Sequence, residues 1–274
     1  MIKKFITTFL ILVFLTSFTP AYAKRWASKP PVGSQIDWGH PLAKGLVGCW
    51  LFNEEGGKII EDISGNDNDG AMVNAVWSGG KSGTGLYFDT STDYVNLLIT
   101  KKVLSGSRWS VVARTYYTNV SGNIYANDTD YEFCVGFLNA AMNPVIVYRG
   151  ATVLTSVLTT TTKQWIFSAF TCRKSGQKFY IGDNLGFRMD SSKTYPYDTG
   201  IASNVATRIN SGNLYLPGGT YKIDYLYVYK RELSFQETNQ LYEDPYCFIK
   251  QSNFGNFKGG MMISVDDSQV FIIN

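Results

Sequence analysis

The residues most able to do chemistry in this chain are the acids of Asp128-Thr-Asp-Tyr-Glu132. Side chains alternate along an extended segment, so Asp128, Asp130 and Glu132 would share one face. A retaining glycosidase needs two carboxylates about 5 Å apart, and residues two apart on a strand can provide that spacing. Against this, the first acid is Asp, which shortens its reach, and no aromatic subsite pattern flanks the run. An acidic loop leading into a strand at Tyr131 accounts for the same residues, and this is the stronger reading.

A second set points to a metal. Glu54, Asp62, Asn66, Asn68 and Asp224 offer oxygen donors, and a structural Ca²⁺ takes about six to eight oxygens. Asp62 and Asp224 are the strongest of the set. The loop Ser64–Gly70 lacks the spacing of an EF-hand, and its Asn, Asp and Gly also suit tight backbone angles. Cys49, Cys134, Cys172 and Cys247 show no C-x-x-C spacing, and the one histidine is His40, which reads as a leader residue. In an oxidising compartment these four cysteines are disulfide candidates; buried thiols among apolar neighbours are the alternative, and spacing does not choose. Tyr225, Tyr227 and Tyr229 could stack on sugar rings, but such a face more often covers neighbouring strands.

These residues need elements to position them. The chain has 274 residues, with 15% aromatic and 17% charged. That mixture, with many Gly, Thr and Ser, suits pleated surfaces and tight turns better than helices. Residues 1–23 read as a signal peptide: Lys3 and Lys4, the apolar run Phe9–Leu15, then Ala21-Tyr22-Ala23 as an A-x-A site. Their loss would remove two lysines and leave 23 basic against 22 acidic residues. No basic patch suggests nucleic acid, and no later stretch has the about 20 apolar residues of a membrane span. The expected location is secreted or periplasmic, with a virion-associated protein as the alternative.

Residues 24–44 form an irregular leader broken by Pro30, Pro31 and Pro41. Strands are expected at Leu46–Phe52, Lys58–Asp62, Ala71–Trp77, Leu86–Phe88, Asp93–Leu98, Trp109–Tyr117, Tyr131–Phe137, Asn143–Arg149, Thr152–Leu158, Trp165–Cys172, Lys178–Ile181, Leu214–Leu216 and Tyr221–Tyr229. Asp69-Gly70 suits a hairpin turn, Asn119–Asp128 reads as turn-like, and residues 183–212 read as irregular. In Tyr221–Tyr229, period two groups Ile223 with Tyr225, Tyr227 and Tyr229, opposite Asp224, Leu226 and Val228. Ser234-Phe-Gln-Glu237 is a capping box that predicts a helix over Phe235–Tyr242. A hairpin around Asp266-Asp267 is expected in the tail 248–274. Together these imply an all-β fold, a two-sheet antiparallel jelly-roll sandwich with one short C-terminal helix, in one domain over 45–247.

Several of these pieces resemble a family. Gly45-Leu-Val-Gly-Cys-Trp-Leu-Phe-Asn-Glu54, Asp62-Ile-Ser-Gly-Asn-Asp-Asn-Asp-Gly70, Gly85-Leu-Tyr-Phe-Asp89 and Asp93-Tyr-Val95 are similar to the opening of concanavalin A-like, laminin G-like jelly-roll domains. Ile223–Ser234 followed by Glu237 resembles their closing strand and helix, with Glu232 departing from the small residue usual there. The resemblance covers residues 45–243. It implies two antiparallel sheets, calcium near Asp62–Gly70, and a role in binding or adhesion, as in lectins, pentraxins and modules of secreted enzymes. Fold alone does not give function. The reading that follows is a non-catalytic module binding a carbohydrate or another surface ligand. A structural or adhesion component with a protein partner comes second, and a glycoside hydrolase or lyase third.

Overall fold

The structure, a computed structural model, describes residues 26–97, 108–119, 122–127, 133–148, 152–173, 176–193, 207–210, 218–251, 261–264 and 270–273. In chain order the strands are β1 (Leu46–Trp50), β2 (Ile59–Ile60), β3 (Gly70–Val73), β4 (Val76–Gly79), β5 (Thr84–Phe88), β6 (Tyr94–Leu97), β7 (Trp109–Tyr117), β8 (Gly122–Asn127) and β9 (Phe133–Leu138). There follow β10 (Asn143–Tyr148), β11 (Thr152–Thr155), β12 (Trp165–Arg173), β13 (Gly176–Asp183), β14 (Gly186–Lys193), β15 (Thr207–Ile209) and β16 (Tyr221–Tyr229). Helix α1 (Phe235–Glu243) comes next, and β17 (Met261–Ser264) pairs with β18 (Val270–Ile273) as a separate antiparallel ribbon.

Two eight-stranded sheets form the sandwich. The first runs β14-β13-β12-β7-β16-β5-β4, and β1 shares the free side of β16 with β5. The second runs β11-β10-β9-β8-β15-β6-β3-β2. The chain changes sheets between β3 and β4, where Asn74 takes a positive φ of 60°. Trp50, Phe88, Trp109, Tyr117, Phe137, Phe170 and Tyr221 fill the space between the sheets. Burying such large rings supplies most of the hydrophobic stabilisation of a core like this. A second apolar cluster lies on the outer face of the first sheet. There Tyr225, Tyr227 and Tyr229 are covered by Ile36, Leu42, Leu241, Tyr246 and Phe248. The tyrosine face is therefore a packing face, as expected.

The fold is the expected all-β sandwich, and β7, β16 and the capping box fall where the sequence placed them. Ser234 Oγ accepts from Glu237 N at 3.2 Å, and Glu237 Oε2 accepts from Ser234 N at 2.8 Å. Four details differ. Asn119–Asp128 contains β8, which is paired with β9 and β15. Residues 183–212 contain β14 and β15; β14 is an edge strand, where polar residues are tolerated because one side faces water. Gly70 opens β3 opposite Ile60 and is no turn residue. An added Cβ there would lie 2.6 Å from Val95 Cγ1, so glycine is needed for close approach. Finally, β16 carries a bulge between Ile223 and Tyr225. It resets the alternation, so Ile223 joins Leu226 and Val228 in the inter-sheet core while the tyrosines face out. The expected strand Leu214–Leu216 lies outside the described residues.

Candidate functional site

The outer face of the first sheet carries one cross-strand row: Tyr225 on β16, Arg114 on β7, Phe167 on β12 and Gly182 on β13. The next row toward the strand ends pairs Tyr116 with Trp165, whose rings sit 5.6 Å apart. Helix α1 ends over this face. Its Tyr242 ring packs on Phe167 at 5.7 Å and stacks on Phe187 at 5.3 Å. Gly182 makes that seat possible, since an added Cβ would lie 2.3 Å from the Tyr242 ring.

Between the helix end and the strand ends is an open pocket of about 450 Å³. Arg114, Trp165 and Tyr242 line it from the sheet and helix, Gly182 and Asp183 from the end of β13, Gln164 and Asn184 from two adjacent loops, and Lys81 and Glu243 from its rim. Two of the polar residues brace the walls. Asp183 accepts from Thr160 Oγ1, Leu185 N and Arg188 Nη2 at 2.6, 2.9 and 2.6 Å. Gln164 Nε2 donates to Thr161 Oγ1 at 2.8 Å, and its Oε1 accepts from Asn184 N at 3.3 Å. Arg114 Nη2 donates to Tyr242 O at 3.2 Å, satisfying a carbonyl in the last turn of α1, where helices leave carbonyls unpaired. Burial works against the Arg114 charge, but Tyr225 and Asp224 beside it hold its pKa up.

Behind the pocket lies the bulge residue Asp224. Its Oδ1 accepts from Lys81 N at 2.9 Å and pairs with Lys29 Nζ at 3.1 Å, both side chains being almost fully buried. The Lys29 ammonium also donates to Asp224 O at 2.6 Å and to Thr84 O. Three oxygens thus meet its three N–H groups. Burial pushes the Lys29 pKa down, and the Asp224 charge opposes that shift. The leader therefore reaches over the sheet and supplies the cation that Asp224 holds.

This arrangement does not fit the expected calcium ion. Asp62 and Asp224 hold different partners. Asp62 accepts from Cys49 N, Ser64 N, Ser64 Oγ and Asn68 N at 2.8–3.2 Å, which closes the loop onto β1. Burial pushes the Asp62 carboxyl up while those four bonds resist. Asn68 Nδ2 is spent on Val47 O, and Asn66 bonds Ser64. Glu54 Oε1 accepts from Glu61 N, its Oε2 is buried without a partner, and burial pushes its pKa up. Among the described residues no cluster of three His, Cys, Asp or Glu side chains is placed to hold a metal. Asp62 is a loop lock, and the Asp224 site is already held by an ammonium.

The remaining candidates contribute nothing to this pocket among the described residues. Asp128, Asp130 and Glu132 lie outside the described residues. The four cysteines carry thiols in place of disulfides. Cys49, Cys134 and Cys172 sit in three different apolar clusters. His40 Nδ1 accepts from Leu42 N at 3.1 Å and caps the 3-10 turn Pro41–Ala43. The pocket residues were not singled out from sequence. They come from positions 81, 114, 164–165, 182–184 and 242–243, with no linear motif joining them. The one local hint is Gln164-Trp165, a planar amide beside an aromatic at the start of a strand.

No protein-family model matches this sequence, and no curated protein matches it. Solved structures do resemble it. Domain 4 of AbnA, a GH43 extracellular arabinanase from Geobacillus stearothermophilus in complex with arabinotriose, superposes with TM-score 0.58 at 17% identity over 72% of this chain and 97% of that one. The binding domain of Paraclostridial Mosquitocidal Protein 1 gives 0.57 at 14% identity, over 73% of this chain and 52% of that one. Trypanosoma rangeli sialidase in complex with sialic acid gives 0.53 at 13% identity, over 72% of this chain and 32% of that one. At these identities the likeness is one of fold.

Proposed function

We propose that this chain is an exported, non-catalytic binding module of the laminin G-like type whose ligand is a glycan. The observation that carries the reading is the pocket on the outer face of the first sheet. It sets two half-buried aromatics, Trp165 and Tyr242, beside the planar polar groups of Gln164, Asn184 and Arg114. A sugar ring has one apolar face for an aromatic and a rim of hydroxyls for such groups, and sites of this kind are concave with a few convergent polar side chains. The similar structures support it: one is a domain in complex with arabinotriose and another is the binding domain of Paraclostridial Mosquitocidal Protein 1. The Asp183 carboxylate is fully engaged by Thr160, Leu185 and Arg188, which favours binding over acid–base chemistry at this pocket.

Calorimetric titration with a panel of oligosaccharides tests the reading. Saturable binding is expected, weakened at least about tenfold, or about 1.4 kcal/mol, by Trp165→Ala. Binding unaffected by that change would move the site elsewhere. Release of sugar from any of the panel, lost in Glu132→Gln, would replace the reading with a glycosidase. Adhesion to a protein partner is the second reading, favoured by Val157 and Leu185, which are 70% and 69% exposed. A stable complex with no glycan binding would support it.

A further inference from the structure

We infer that the sugar this pocket takes is acidic, with Arg114 and Lys81 gripping its carboxylate. The inference rests on the glycan reading above and specifies its ligand class.

The charges around the pocket lead to it. Asp183 is neutralised by Arg188 at 2.6 Å, and Asp224 by Lys29 at 3.1 Å. With those pairs closed, Arg114 and Lys81 remain against Glu243. Among the described residues no carboxylate makes a direct ion pair with either cation, although Asp224, already paired with Lys29, acts on the Arg114 charge from farther off. Among the described residues the Arg114 side chain makes one hydrogen bond, to the Tyr242 carbonyl, and its guanidinium lies 5.7 Å from the Tyr225 ring centroid. A guanidinium has five N–H donors in a fixed fork, and a carboxylate is the group that fork matches.

Lys81 is exposed, but its position is held. Its backbone N–H is bonded to Asp224 Oδ1 at 2.9 Å, and the next residue, Ser82, accepts from Lys29 N at 2.8 Å. The ammonium is thus an exposed charge on an anchored backbone, lining the same pocket as a half-buried fork. Lysine suits a point-charge contact and arginine a two-toothed one, which is the division of labour a single carboxylate would use. Trp165 and Tyr242 supply the apolar wall for the ring that carries it. Glu243 at the rim accepts from sugar hydroxyls and disfavours a dianion such as a phosphate ester.

Three matched pairs test this by calorimetry: tetragalacturonate against its carboxyl-reduced form, a glucuronate disaccharide against its carboxyl-reduced form, and sialyllactose against lactose. In at least one pair the acidic member is expected to bind tenfold or more tightly. The preference should shrink at high salt, because an open pocket is screened. Lys81→Gln, an exposed change that leaves the fold intact, should reduce the preference several-fold, and Arg114→Gln should abolish it. Trp165→Ala should weaken both members alike. Equal binding of acidic and neutral members overturns the inference while leaving the glycan reading in place. An acidic preference that survives both Lys81→Gln and Arg114→Gln also overturns it. No binding by any member defeats both.

Discussion

At the residue scale, the chemistry of this molecule turns on which acids are already engaged. Asp62, Asp183 and Asp224 each receive three or more donors or a cation, and each serves the frame. The Lys29–Asp224 pair is the most consequential. Replacing one partner of a buried ion pair strands the other, at a cost of about 3–5 kcal/mol. Lys29→Met should therefore lower the urea midpoint by more than Asp224→Asn together with Lys29→Met, because the double change leaves no buried charge. Equal losses from the single and double variants would mean the pair contributes packing alone.

The elements were more legible in the sequence than the site was. β7, β16 and α1 announce themselves because aromatic and β-branched runs, and a reciprocal cap, are local signals. β8 and β14 were missed because their extended form is set by partners distant in sequence, and β14 lies at an edge where charge is tolerated. The bulge at Asp224 is invisible to a period-two reading, yet it turns the acid outward beside the pocket. Gly182 shows how an element carries function without touching ligand. Gly182→Ala drives a methyl into the Tyr242 ring, and overpacking costs about 1–3 kcal/mol. The end of α1 should shift, and with it the pocket wall. Glycan affinity is then expected to fall several-fold while the helical circular-dichroism signal persists. Unchanged affinity would show that Tyr242 does not shape the site.

At the scale of the whole molecule, the two flanks of the chain clasp one another over the first sheet. Ile36 bridges Ile249, Asp37 N donates to Phe248 O at 2.9 Å, and Lys250 N donates to Gln35 O at 2.9 Å. Trp26 Nε1 reaches Ile249 O at 3.3 Å. The same leader that makes this clasp delivers Lys29 to Asp224, and Lys29 N holds Ser82 O beside Lys81. A cleavage after Ala23, where the A-x-A pattern would place it, would leave all of these residues on the chain. A truncated variant that starts at Ser34 keeps the inter-sheet core and Ile36, but loses Trp26 and Lys29. Its β-sheet spectrum should persist. Hydrogen exchange at the Lys81 and Ser82 amides should speed up, because their acceptor Asp224 has lost its counter-ion. Glycan affinity should drop although no pocket residue has been changed. Exchange and affinity equal to those of the longer chain would show that the leader covers the sheet without holding the pocket.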